Sequence, residues 1–339
     1  MTFHPPRRPG ALRFYTAAVV VIAVAAAAVR IEDVSNRWWL AGAAIPLIAL
    51  FAWWRGLYLT TMGARLLALI GRNRGWRRHG ARRDDLRTTV MLRIDSGIDH
   101  SLPLPVIRSY LDRYGIRCRS IRVTSRDPDR VTWISLTVGA ADNLTALQGR
   151  SSSLPLCETA SVLRRRLADH LREIGWTVDC VQDAESPVPE GTIRERWRAV
   201  QSGSGYVAAY RITVTLALPE VLEQIHQLPA EQTWTAIEFT DGRNGPQVSV
   251  ACALVTADRP TRRLPIDGIT PESGRHRPAL EVMKPSSAEQ LEPPPVPVGD
   301  ALAVLPWPVA SAHASAAAGR HSAPAELRNH GGTGVTRSH

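Results

Sequence analysis

The chain has 339 residues and a formal net charge of +10, from 41 Lys+Arg against 31 Asp+Glu. Lys284 is the single lysine, which argues against P-loop and Schiff-base chemistry, both of which need a lysine in the site. Cys118, Cys157, Cys180 and Cys252 stand singly with no C-x-x-C pair, so the spacing predicts neither a metal site nor a disulfide framework.

Residues 1–11 form a short basic N-terminus, and two apolar runs follow within residues 12–59. The first, FYTAAVVVIAVAAAAV, covers Phe14 to Val29, and the second, WWLAGAAIPLIALFAWW, covers Trp38 to Trp54. The link RIEDVSNR is short enough only for a tight turn. At about 1.5 Å per residue the runs rise about 24–26 Å, and with flanking residues they approach a ~30 Å hydrocarbon core. The reading is a transmembrane hairpin with helices over about 12–30 and 38–59, its second helix bracketed by Trp38/Trp39 and Trp53/Trp54 as an aromatic belt. Arginines crowd both outer ends (Arg7, Arg8 and Arg13 before; Arg55, Arg65, Arg72 and Arg74 after), while the link is balanced. Both termini are therefore expected in the cytoplasm. A cleavable signal peptide ending near Ala25 to Ala28 is the rival for the first run, and it too leaves the rest of the chain cytoplasmic.

Leu57 to Ile70 reads as an extension of the second span in preference to an interfacial helix. Residues 60–87 form a basic juxtamembrane connector in which Arg72, Arg74, Arg77, Arg78, Arg82 and Arg83 are candidates for anionic-lipid contact, at about 1 kcal/mol each near the surface. Nucleic acid is the less favoured ligand for the same run.

A cytoplasmic α/β (α+β) domain is expected over 88–286. TTVMLRID is strand-like and Pro105 to Tyr114 is helical, with Val106, Ile107, Tyr110, Leu111 and Tyr114 on one face. RCRSIRVTS alternates with Cys118, Ser120 and Arg122 on one side, and VTWISLTVG completes a hairpin after the turn Asp127-Pro128-Asp129. Leu156 to Ile174 is the clearest helix, with Val162, Leu163, Leu167, Leu171 and Ile174 as its stripe, and WTVDCV follows as a strand. That β-α-β-β-α-β order is ferredoxin-like. Thr192 to Val200 is expected as a short helix, GYVAAYRITVTLAL as a strand, Pro219 to Gln227 as a helix, and TWTAIEFT and QVSVACALVT as a hairpin. This second unit is expected to pack beside the first sheet or extend it. The tail, 287–339, is rich in Pro, Ala and Ser and is expected to be disordered.

No G-x-x-x-x-G-K-[ST], H-E-x-x-H or G-x-S-x-G occurs. Asp95, Asp99 and His100 form one acidic–His cluster, read as a strand end and polar turn, and His170 as a satisfied histidine at the core edge. No catalytic, cofactor or metal residues are assigned. A membrane-tethered, transferase-like enzyme is the alternative, and it would have to rest on that cluster.

Several local runs resemble the EccE family, membrane components of mycobacterial type VII (ESX) secretion machinery. They are VTWISL around Trp133, NLTAL from Asn143, RRRLADHLREIGW from Arg164 to Trp176, and ESGRHRPALEVMKP with Gly274, Arg275, Ala279, Leu280 and Pro285. His276 stands where glutamine is more typical of the family. With the hairpin, the likeness spans roughly 12–286. The resemblance implies a non-enzymatic subunit of an inner (plasma) membrane complex, multi-pass, whose partners are channel-forming and ATPase components. Small residues on the hairpin, Ala27, Gly42 and Ala43 above all, are the helix-packing candidates, because they let backbones approach closely.

Overall fold

The computed structural model describes residues 53–54, 57–74, 86–97, 101–151, 153–203, 205–242, 245–261, 265–291, 296–297 and 305–307. The hairpin up to residue 52, with Ala27, Gly42 and Ala43, lies outside these. Strand β1 (Trp53–Trp54) pairs antiparallel with β2 (Leu57–Tyr58), so the chain doubles back before helix α1 (Leu59–Asn73) begins. This corrects the expectation of one continuous helix to residue 59 and beyond: α1 is a separate element. Among the described residues, no helix is long and apolar enough to cross a membrane.

The mixed α/β body has a large antiparallel sheet and, counting α1, six α-helices among the described residues. The first half runs β3 (Arg87–Gly97), α2 (Leu104–Arg108) continued by a 3-10 turn to Leu111, β4 (Asp112–Arg113), β5 (Ile116–Asp127), β6 (Val131–Gly139), α3 (Leu144–Gln148), α4 (Leu156–Glu173) and β7 (Trp176–Val181). The second half runs β8 (Ile193–Glu195), β9 (Val200–Ser202), β10 (Gly205–Ile212), α5 (Leu218–His226), β11 (Gln232–Gly242), β12 (Gly245–Thr256), β13 (Ile269–Pro271), α6 (His276–Met283) and β14 (Val296–Pro297).

The strands lie in the order β7-β3-β6-β5-β11-β12-β10-β9-β8. The first four are a split βαβ arrangement, in which β6 separates β3 from β5. The second half repeats the scheme: β10 leads through α5 to the hairpin β11–β12, and β12 lies between β10 and β11. The two units meet where β5 pairs with β11, Ser120 opposite Thr240 through Asp127 opposite Thr233. The second unit therefore extends the first sheet.

Helices cover both faces. On one, α2, α4 and α5 pack Leu104, Ile107, Leu163, Leu167, Leu171, Leu218 and Ile225 onto Ile121, Val123, Ile134, Ile237 and Phe239. On the other, α6 and the segment after it bring Leu280, Met283 and Leu291 onto Trp133, Trp234, Ala236 and Ala251. Trp133 and Trp234 stack with centroids 5.7 Å apart and planes at 9°. With both faces covered, β5 and β11 are buried almost without alternation.

Several local expectations change. The helix predicted to reach Tyr114 stops at the 3-10 turn, because Asp112 is extended (φ −137, ψ 94) and pairs with Arg117 in the β4–β5 hairpin, whose turn Tyr114 (φ 57) and Gly115 (φ 70) make with left-handed backbone. A register shift between Cys118 and Ser120 turns Cys118 to the core face with Ile121 and Val123, away from Arg122. Residues 192–200 form two short strands joined by a turn at 196–199, not a helix; the β-branched Ile193 and Val200 suit the ladders of β8 to β9 and of β9 to β10. The strand predicted to run to Leu218 ends at Ile212. Helix α4 ends before Ile174, which is 43% exposed. The folded part also passes residue 286 into the expected tail: β14 pairs with β12, and Leu291, Leu305 and Trp307 are buried. Trp307 is held by its Nε1–H to Ser125 Oγ at 2.8 Å and by backbone bonding with Leu102. Its indole area repays the ordering of a chain that composition alone marks as too polar to fold.

Candidate interaction surface

Helix α1 docks on the body through its polar side. Arg65, Leu69 and Arg72 share one face at i, i+4 and i+7. Arg65 Nη1 donates to Ser273 O at 3.1 Å, Leu69 is buried, and Arg72 Nη2 donates to Gly274 O at 2.6 Å. Arg72 Nε also donates to Glu195 Oε2 at 2.6 Å. The Glu195 side chain is 1% exposed, and its other oxygen accepts the backbone N–H of Arg277, in the first turn of α6, at 3.2 Å. Asn73 completes the latch: its Nδ2 donates to Glu195 O at 2.8 Å, and its Oδ1 accepts Glu195 N–H at 3.1 Å. One buried carboxylate thus ties α1, β8 and α6 together, and the charge-assisted bonds make that tie strong.

The seat beneath α1 is the Gly274-Arg275-His276 segment. Gly274 has φ 73, and an added Cβ would stand 2.7 Å from the Trp197 ring, so only glycine fits. His276 is fully buried, and its Nδ1 accepts the backbone N–H of Ala209 at 3.1 Å. Burial holds its pKa down at about 4, aided by the Arg65 charge and opposed by backbone hydrogen bonds to Trp197 and Ala209. The ring is therefore neutral, with the proton on Nε2. A glutamine carbonyl could accept the same bond as this Nδ1.

Beyond α6, the chain crosses the sheet as a strap pinned by Arg122. Its guanidinium donates to the carbonyls of Val282, Lys284 and Glu289 and, at 2.7 Å, to Glu238 Oε1. Glu238 Oε2 accepts Leu291 N–H, and Ser135 Oγ donates to Pro285 O. Both side chains of the pair are 2% exposed or less.

A cavity of about 820 Å³ opens on the opposite face, lined among others by Asp127, Arg130, Glu223, His226 and Thr233. His226 Nδ1 lies 2.7 Å from Asp127 Oδ2. The sequence marked Asp127 only as a turn residue and His226 only as a helix position; the topology joins them across the hairpin tip and α5. The hydroxyl residues Ser101 and Thr233 line the same cavity, Thr233 standing opposite Asp127 in the β5–β11 ladder.

Of the sequence-derived candidates, Asp95 pairs with Arg93 at 3.0 Å and has its pKa raised, chiefly by burial; Asp99 and His100 lie outside the described residues. Arg72, expected to meet lipid, instead binds the body, whereas Arg74 is exposed; Arg77, Arg78, Arg82 and Arg83 lie outside the described residues. His170 contacts Tyr110 OH at 3.3 Å at the core edge. Burial pushes the thiols of Cys118 and Cys252 up to about 12, which removes them as nucleophiles. Among the described residues, no group of His, Cys, Asp and Glu is placed to hold a metal ion.

A family model described as "Putative type VII ESX secretion system translocon, EccE" matches residues 128–212, from the β5–β6 turn to the end of β10. The chain is 47% identical over 269 residues to the ESX-3 secretion system protein EccE3 of Mycolicibacterium smegmatis, covering 79% of this chain and 85% of that protein. It is 41% identical over 292 residues to EccE3 of Mycobacterium tuberculosis, covering 83% and 86%.

Proposed function

The chain belongs to the EccE family, and from that premise we propose that it is a non-enzymatic structural subunit of a type VII secretion membrane complex, supporting assembly or stability of the translocation machinery. The observation that carries this reading is the use made of the Gly274–Pro285 segment. Its backbone groups seat helix α1 and a strap, through bonds with Arg72, Glu195, Arg122 and Ser135. In this reading the apolar runs that precede the β1–β2 reversal anchor the subunit in the inner (plasma) membrane, multi-pass with both termini cytoplasmic, and its partners are the channel and ATPase components together with anionic lipid. The strand order of the first half supports a ferredoxin-like unit used as a rigid platform.

In this reading the hairpin docks on helices of other subunits through Ala27, Gly42 and Ala43. The test is co-purification in detergent of the tagged chain carrying Ala27→Leu and Gly42→Leu. The expected result is loss of the other subunits with the body still folded; undiminished co-purification sinks the docking role.

A further inference from the structure

Helix α1 has its polarity inverted relative to an ordinary surface helix. Its arginines Arg65 and Arg72 face the protein, while Leu66, Leu67 and Ile70 face away, Leu67 being 72% exposed. These three share one side with Gly63, and Arg74 lies at the same side's C-terminal end. A contiguous apolar face of this kind marks a contact surface.

Three features specify the occupant. The apolar run ending at Trp54 stops only four residues before α1 begins, and the β1–β2 reversal sets α1 apart from that run instead of continuing it. The exposed side is apolar with an arginine at its end, the pattern of a helix lying in a headgroup–acyl boundary. The sequence that follows α1 carries Arg77, Arg78, Arg82, Arg83 and Arg87 against Asp84 and Asp85, which complements an anionic surface. We infer that the outer face of α1, Leu66, Leu67 and Ile70, rests in the boundary of an anionic bilayer, and that the Glu195 latch fixes the whole domain against that plane. This deepens the membrane placement proposed above and rests on it. Since α1 is clamped by Arg72, Asn73 and Leu69, the helix transmits orientation: the sheet takes a fixed attitude to the membrane instead of swinging on a linker.

The test uses the full chain in vesicles of phosphatidylcholine with phosphatidylglycerol. Leu67→Cys, in a Cys157→Ser, Cys180→Ser background, carries an environment-sensitive fluorophore; native Cys157, which is exposed, labelled in a Cys180→Ser chain, is the control. Cys118 and Cys252 are buried and need no change. The expected result is quenching of the Leu67→Cys label by spin-labelled lipid and protection from aqueous iodide, with the reverse at Cys157. Quenching by iodide at both sites overturns the inference, because the face is then in water. Protection from both quenchers overturns it too, because the face is then covered by the chain's own hairpin or by protein. Carbonate extraction of the same vesicles reports separately on membrane spanning, so failure of the hairpin and failure of the α1 contact are distinguishable.

Discussion

Replacing Arg122 by methionine tests whether the buried clamp organises the second face. The substitution removes the partner of Glu238, whose side chain is 1% exposed, and leaves that carboxylate with only the Leu291 N–H. It also strips donors from the carbonyls of Val282, Lys284 and Glu289. Breaking one side of a buried ion pair costs about 3–5 kcal/mol, a large share of a domain stability of about 5–15 kcal/mol. Removing both charges, Arg122→Met with Glu238→Leu, leaves no uncompensated charge, so the double variant is expected to lose much less than the two singles summed, with a coupling of about 2–3 kcal/mol. The assay is urea unfolding of the full chain in detergent, followed by emission of its tryptophans, two of which, Trp133 and Trp234, stack on the same face. A loss below about 1 kcal/mol for Arg122→Met, the scale of a surface pair, would refute the reasoning, as would additivity of the two changes.

His276, with its pKa held at about 4 against 6.5 in the unfolded chain, charges more readily when unfolded. Stability is therefore full above pH 6.5, falls as pH drops toward 4 by about 3 kcal/mol at most, and is flat below that on this group's account; His276→Gln should keep the Ala209 bond and flatten that window in pH-dependent thermal melts. Trp307→Ala should cost about 3–5 kcal/mol by the same urea assay, while ending the chain after residue 310 should leave the midpoint unchanged; equal losses for both would show that the segment after Trp307 does the stabilising.

Much of the first half was legible from sequence because its elements are periodic and locally bounded. The β3, β5–β6, α4 and β7 sequence carries apolar alternation, turn residues and, at Gly175 (φ 91), a residue suited to end a helix, and the strand order follows from known connection rules. Tertiary pairing overrode local pattern elsewhere. Residues 192–200 read as a helix, but Val200 pairs with β10 and Ile193 with β9, and Cys118 changed face because a single-residue register shift leaves no mark in composition. Leu305 and Trp307 sit in a chain whose surroundings are polar, so their burial depends on a slot formed by Leu102 and Ser125 that no local window contains. The surface was half legible: the arginines of the connector were visible, but their division between body and exterior was not. Arg72 differs from Arg74 only in rotation about α1, and Glu195, more than a hundred residues away, determines which of them is bound.

The β5–β11 ladder makes the two units inseparable. Either unit expressed alone would display an eight-residue strip of open backbone donors and acceptors, flanked on one face by Ile121 and Val123 of β5 or by Ile237 and Phe239 of β11, the kind of edge that recruits other strands. Joining the units hides both strips at once. The subunit is thus built as a closed seam, and a cut anywhere between β7 and β10 yields fragments prone to aggregate or to re-pair across molecules rather than two working halves.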